Sequence, residues 1–166
     1  MGQLGPTWEK VKLTNLMTVD LLPYGNSRES QAESKWTFEC QHGVNECWGN
    51  LLETCVIHYY PNTTQHLDII RCIEEDFVIT MGYSWKDTLS KCSQSHGVDI
   101  SKITACTEGK EGNSLEHIVA TFTGAHDYVP WVLIDGKHDA DAEKNLLTQV
   151  CKAYKGTPPR VCHKLL

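Results

Sequence analysis

The sequence contains no C-x-x-C pair, no uncharged apolar run long enough to cross a bilayer, no low-complexity tract and no cluster of basic residues. Each absence excludes something. Without two cysteines held two residues apart there is no ready-made redox dithiol. Without about 20 consecutive apolar residues there is no membrane span, so no membrane partner is expected. Lys and Arg number 15 against 21 Asp and Glu, a net charge of -6, and they are scattered; such a chain repels phosphate, so no nucleic-acid partner is expected. His58, His66, His96 and His163 form no H-E-x-x-H or i, i+4 pattern, and Ser27, Ser84 and Ser114 lack a G-x-S-x-G context, so none is assigned a role. No cofactor and no metal is expected. The amino terminus, from Met1 to Pro6, has no basic n-region and no apolar h-region, and Pro6 breaks a myristoylation reading. A mature fragment or the product of a downstream start is the expectation.

What the chain does have is length and sulfur. Its 166 residues, 40% hydrophobic and 22% charged, suit one globular domain with a real core. Eight cysteines, Cys40, Cys47, Cys55, Cys72, Cys92, Cys106, Cys151 and Cys162, form an even set spread along the chain. That usage suits disulfides in an oxidising compartment better than cytosolic thiols. They admit roughly a hundred pairings, so the connectivity stays open.

Hydrophobic periodicity orders the elements. Residues 6–11 read as the last turns of a short helix with proline near its start. Residues 16–23 alternate like a strand, and Tyr24, Gly25, Asn26 and Ser27 supply turn chemistry before a second strand or hairpin arm at 36–40. From Cys47 to Gly124 the period becomes helical. Leu51, Leu52, Cys55, Val56 and Tyr59 mark a helix stopped by Pro61, and Leu67, Ile70, Ile73, Glu74 and Phe77 mark a second. Trp85, Leu89 and Cys92 mark a third, ended by Gly97; Asp99 or Ser101 caps a fourth and Asn113 or Ser114 a fifth. Strand character returns at 128–134, followed by the Asp135-Gly136 hairpin turn and a last helix over 142–154. The expected architecture is a mixed α/β sheet carrying a helical subdomain at 47–124.

The segment 40–55 is the densest candidate chemistry. Cys40, His42, Cys47 and Cys55 are zinc-type ligands but lack the short knuckle spacing of zinc sites. Structural cystines joining the hairpin arm to the helical block are the favoured reading, and His42 is most simply a turn histidine. Asn62-Thr63-Thr64 is a glycosylation sequon in an expected loop. At Val129-Pro130 the general rarity of cis bonds, about 5–6% of X-Pro, favours trans on local grounds.

The run C-Q-H-G-x-x-E-C-x-x-N-x-x-x-x-C, complete from Cys40 to Cys55, resembles the signature of the gamma-interferon-inducible lysosomal thiol reductase family. The similarity extends through Pro6-Thr7-Trp8, Leu22-Pro23-Tyr24-Gly25-Asn26, Tyr128-Val129-Pro130-Trp131-Val132 and Val150-Cys151-Lys152-Ala153-Tyr154 up to Cys162. The resemblance implies a thioredoxin-like fold with a helical insertion, a soluble glycoprotein of lysosomes or the secretory route, and reduction of protein disulfides at acid pH. It implies that Pro130 is a cis-proline and that Val129 and Pro130 line a groove for disulfide-containing or unfolded polypeptides. The eight cysteines then hold the structure, and no residue here is catalytic. Members carry their reactive C-x-x-C directly after a first strand, and that strand and motif are absent here, so the thioredoxin-like fold is expected to be incomplete at its start. The missing strand would lie between residues 17–23 and 131–134, leaving edges open to self-association. An inactive family body is the leading expectation, and a noncatalytic disulfide-stapled glycoprotein that binds polypeptides is the alternative.

Overall fold

The computed structural model describes residues 2–80 and 84–165, and side chains other than those of residues 77–80 within that range. The chain divides into two compact units. One joins Met1–Asp20 to His126–Leu166, and the other is Leu21–Ala125.

The second unit begins with an antiparallel hairpin, β1 (Arg28–Ala32) and β2 (Lys35–Glu39), in register Arg28↔Glu39 through Ala32↔Lys35. Five helices follow: α2 (Val44–Tyr59), α3 (Thr63–Thr80), α4 (Trp85–His96), α5 (Ile100–Glu108) and α6 (Lys110–Thr123), where α1 is the amino-terminal helix of the other unit. The helical spacing of Leu52, Cys55 and Val56 points one stripe of α2 inward, and all three are buried together with Leu67, Ile70, Ile73, Leu89 and Ile103. The expected stop signals operate. Gly97 ends α4 in the left-handed region at φ 65°, where a side chain would be strained. The Asp99 carboxylate accepts from the Lys102 N–H at 3.1 Å and starts α5. Three disulfides tie this unit, Cys40–Cys47, Cys55–Cys106 and Cys72–Cys92. A Cβ added at Gly112 would stand 2.4 Å from the Cys106 carbonyl oxygen and 3.1 Å from Cys55 Sγ, so only glycine lets α6 approach the second bridge.

The other unit packs α1 (Leu4–Val11) and α7 (Ala142–Ala153) around Val11, Leu16, Ala142, Leu146, Val150, Cys151 and Cys162, with a short hairpin, β3 (Leu133–Ile134) and β4 (Lys137–His138). Asp135 and Gly136 both take positive φ, 50° and 75°, the turn that Asp-Gly predicts. The Cys151–Cys162 disulfide ties α7 to a single 3-10 turn at Arg160–Cys162.

Several expectations are corrected. Residues 16–23 form no strand: among the described residues no neighbour forms a β ladder with them, and alternation makes a strand only where a neighbour supplies hydrogen bonds. The partner of β2 is instead the segment immediately before it, and the strand expected over 128–134 shrinks to Leu133–Ile134. Helix α6 starts at Lys110, not at Asn113 or Ser114. Asn113 is spent on tertiary contact, its amide accepting from Trp36 N–H at 3.0 Å and donating to Trp36 C=O at 2.8 Å. The Val129–Pro130 bond is cis, against the local base rate and as the resemblance implies. The mixed α/β class stands, mostly helical, with the β structure of the described residues confined to two two-stranded sheets.

Candidate functional site

Within the helical unit the residues of the 40–55 signature form a latch. Cys40 and Cys47 close a loop across 5.6 Å between Cα atoms, from the end of β2 to the first turn of α2. Inside it Gly43 takes φ 90°, and the Glu46 carboxylate reaches back to accept from the His42 N–H at 2.6 Å, with the His42 ring 3.4 Å away. Asn50 donates from α2 to the Tyr24 carbonyl at 3.1 Å and the Ser27 hydroxyl at 3.2 Å, while Gln41 accepts from the Asn26 amide at 2.8 Å. Thus Gln41 and Asn50 tie the Tyr24–Ser27 turn to the Cys40–Cys47 loop and to α2, Glu46 closes that loop on itself, and His42 lies in its turn. A zinc reading fails because Cys40 and Cys47 are bonded to each other and Cys55 to Cys106, leaving no thiolate ligand.

Asn62 lies exposed directly after Pro61, and its side-chain oxygen accepts from the Gln65 N–H at 3.1 Å, capping α3.

In the other unit the stretch from Tyr128 to Trp131 leads into the β3–β4 hairpin and leaves Tyr128, Val129 and Leu133 exposed by 40%, 46% and 53%, with Pro130 also exposed. The hairpin folds His138 back onto Trp131, ring on ring at 3.4 Å and nearly parallel. Tyr128 meets Trp131 edge to face at 5.1 Å, and its hydroxyl lies 3.4 Å from His138 Nε2. Glu143, from the first turn of α7, sits 3.0 Å from the same nitrogen and fixes the ring. Desolvation, then the Glu143 carboxylate, hold the Tyr128 phenol above its ordinary range. The result is an exposed apolar lip at Val129 and Pro130 whose flanking aromatics are locked from behind. Sequence reasoning missed this bracing by His138 and Glu143; the signal was the Asp-Gly turn itself, which sets His138 opposite Leu133.

Also missed were two buried carboxyls, Glu53 on α2 and Glu116 on α6. Glu53 is 8% exposed and Glu116 is 1% exposed. Burial first, and then the charge and hydrogen bond of Glu74, push Glu53 well above the ordinary carboxylate range, and burial raises Glu116 to about 7. Their sequence signal was a glutamate inside the apolar run Leu52 to Val56.

These features define a disulfide-knit α/β protein in which all eight sulfurs are paired and none is free. Among the described residues no cluster of His, Cys, Asp and Glu is arranged to hold a metal ion, and none of the helices is long and apolar enough to cross a membrane. Residues 1–96 match the family model described as gamma interferon inducible lysosomal thiol reductase (GILT). The proteins of that name from Carassius auratus and Mus musculus are each 35% identical to the chain, covering 98% of it and 64% of their own length. A gamma-interferon-responsive lysosomal thiol protein of Arabidopsis thaliana is 34% identical over 91% of the chain and 63% of its own length. The chain belongs to the GILT family, and it spans a little under two thirds of those relatives.

Proposed function

We propose that these residues form the body of a lysosomal thiol reductase: a polypeptide-binding lip at Val129 and Pro130 on a disulfide-knit, thioredoxin-like frame, whose redox step needs a C-x-x-C pair that the sequence given does not contain. The observation that carries this reading is the state of the sulfur, with all eight cysteines closed as cystine. Reducing a protein disulfide requires a thiolate to attack one substrate sulfur, forming a mixed disulfide and expelling one substrate thiolate. A second enzyme thiol then attacks the enzyme-side sulfur, releasing the other substrate thiol and leaving the enzyme pair oxidised. Two electrons pass from dithiol to substrate, and a chain with only cystines has none to give.

The test is a thiol titration of the native chain followed by an assay on a denatured disulfide protein at acid pH. The expected result is no free thiol and no turnover, with turnover restored when a strand bearing C-x-x-C is joined ahead of residue 1. Turnover by the chain alone overturns the reading.

The same closed sulfurs favour a second reading, a noncatalytic glycoprotein that binds unfolded polypeptides at the exposed lip. It predicts binding of a reduced, alkylated polypeptide without any gain of activity from the added strand. In both readings Asn62 carries a glycan when the chain passes through the secretory route, because the sequon is exposed; Asn62→Gln then removes a glycosidase-sensitive mobility shift. In both, the segment 17–23, which has no strand partner among the described residues, offers backbone groups to a second copy, which size-exclusion chromatography reads as a concentration-dependent dimer.

A further inference from the structure

Two buried acidic side chains, Glu53 and Glu116, and the partly buried Glu74 act on one another around the middle of α2 in the Leu21–Ala125 unit, in a way unrelated to any redox step. Glu53 is on α2, Glu74 on α3 and Glu116 on α6. Burial first, and then the neighbouring Glu74, hold the Glu53 carboxyl well above the ordinary carboxylate range. Glu116 is more deeply buried, and its one described hydrogen bond comes from the Thr54 hydroxyl at 2.8 Å, the residue next to Glu53.

Among the described residues no lysine or arginine pairs with Glu53, Glu74 or Glu116. Cations on neighbouring helices are committed elsewhere: Lys86 of α4 to Glu108 at 2.5 Å, Lys91 of α4 to Asp76, and Lys102 of α5 over the Tyr59 ring at 4.3 Å. The other groups facing Glu116 are acidic or phenolic. Glu29 on β1 is paired with His117 at 2.9 Å, and the Tyr24 phenol is pushed up to about 12 by burial and then by Glu29 and Glu116. Asp76, on the same helix as Glu74, keeps its charge low in the pH scale through Lys91 and Thr88.

We propose that the helical unit has an acid-locked core: it folds around neutral carboxylic acids at the buried Glu53 and Glu116, and it loosens when these ionise. The sign follows from linkage. A carboxyl whose folded pKa lies above its unfolded value binds its proton more tightly when folded. Its stabilisation is complete below the ordinary carboxylate range, near 4.5, and is lost as pH rises through the folded value, which for Glu116 is about 7. Asp76 works in the opposite sense, its contribution being lost only as pH falls below the ordinary aspartate range. The unit is therefore firmest in mildly acidic medium, whether or not the chain takes part in thiol reduction.

The experiment is urea unfolding of the disulfide-intact chain from pH 4.5 to 7.5, with amide exchange over α2, α3 and α6 reporting on the helical unit. The folding equilibrium constant of that unit is expected to fall by at least the order of 10²-fold over this interval, Glu116 alone accounting for about that much. Glu116→Gln, which stays neutral at every pH, should reduce the drop by about 10²-fold, whereas His117→Gln, which removes the neighbouring imidazole, should leave it. A flat wild-type profile, or a drop abolished by His117→Gln and kept by Glu116→Gln, overturns the proposal. If Glu116→Gln does not fold, carbon-13 titration of the glutamate carboxyls in the wild-type chain decides instead. Titration of Glu116 in the ordinary carboxylate range overturns the proposal, and titration displaced toward neutrality supports it.

Discussion

The two units solve the problem of holding a fold together in different ways. The helical unit, Leu21–Ala125, has a large apolar core, three disulfides and a set of buried acids. The unit built from both chain ends has a smaller core around α1 and α7, one disulfide, and an exposed aromatic lip braced by a histidine and a glutamate. A unit that carries more cross-links can tolerate ionisable groups in its interior, because the bridges limit the unfolded alternatives. A unit that presents apolar residues to solvent must instead fix them locally, as the Trp131–His138 stack does.

The sharpest way to break this contrast is to cut the longest bridge. Replacing Cys55 and Cys106 together by alanine opens a loop with a sequence separation of 51, for which chain entropy gives a loss of about 4 kcal/mol. Removing Cys151–Cys162, with a separation of 11, should cost about 3 kcal/mol. Denaturant unfolding with exchange readout should show the first loss confined to α2, α5 and α6. Equal losses would mean that loop length does not govern these bridges.

Next in size is Gly112→Ala, which forces a methyl group onto the Cys106 carbonyl and the Cys55 sulfur and should cost about 1–3 kcal/mol. Gly49→Ala, on α2 with nothing within 4 Å of the added carbon, should stabilise by about 0.5–1 kcal/mol. The opposite signs, read as shifts in thermal midpoint, separate close packing from helix propensity. Asn113→Ala leaves both backbone groups of Trp36 without their partner and should cost about 1–2 kcal/mol, with faster exchange in β1 and β2. A small effect belongs to the other unit. His138→Ala removes the ring under Trp131, for about 0.5–1.5 kcal/mol, and should reduce the near-ultraviolet circular dichroism of that tryptophan while α2 through α6 are unchanged. A change in the helical unit would show that the two are energetically joined.

Much of the helical unit was legible in the sequence because its signals are local. Pro61, Gly97 and Asp99 stop or start helices through their own backbone and side-chain chemistry, and the 3.6 period of Leu52, Cys55 and Val56 needs no partner to be read. The Asp135-Gly136 turn was legible for the same reason. The strands were not. Alternation at 16–23 and 128–134 states only that a segment can pair, and whether a neighbour arrives is a property of the whole chain. Asn113 reads as a cap and serves as a bridge to Trp36, since a side chain has one set of hydrogen bonds and the tertiary partner took it.

The candidate site divides in the same way. The 40–55 signature pointed to the family and to structural cystines, while the roles of Gln41, Glu46 and Asn50 as a latch came only from the fold. Val129 and Pro130 came from the resemblance; their bracing by His138 and Glu143 depends on a hairpin that folds those residues back.

By itself the sequence determined the helix boundaries set by proline, glycine and aspartate, the even complement of cysteines, the absence of a C-x-x-C pair and the family signature. Each of these is written in residue identity and short spacing. The tertiary structure alone decided which cysteines pair, which alternating segments become strands, and that Glu53 and Glu116 are buried. Those outcomes depend on which distant residues are brought within a few ångströms, and that is fixed by the packing of the whole core.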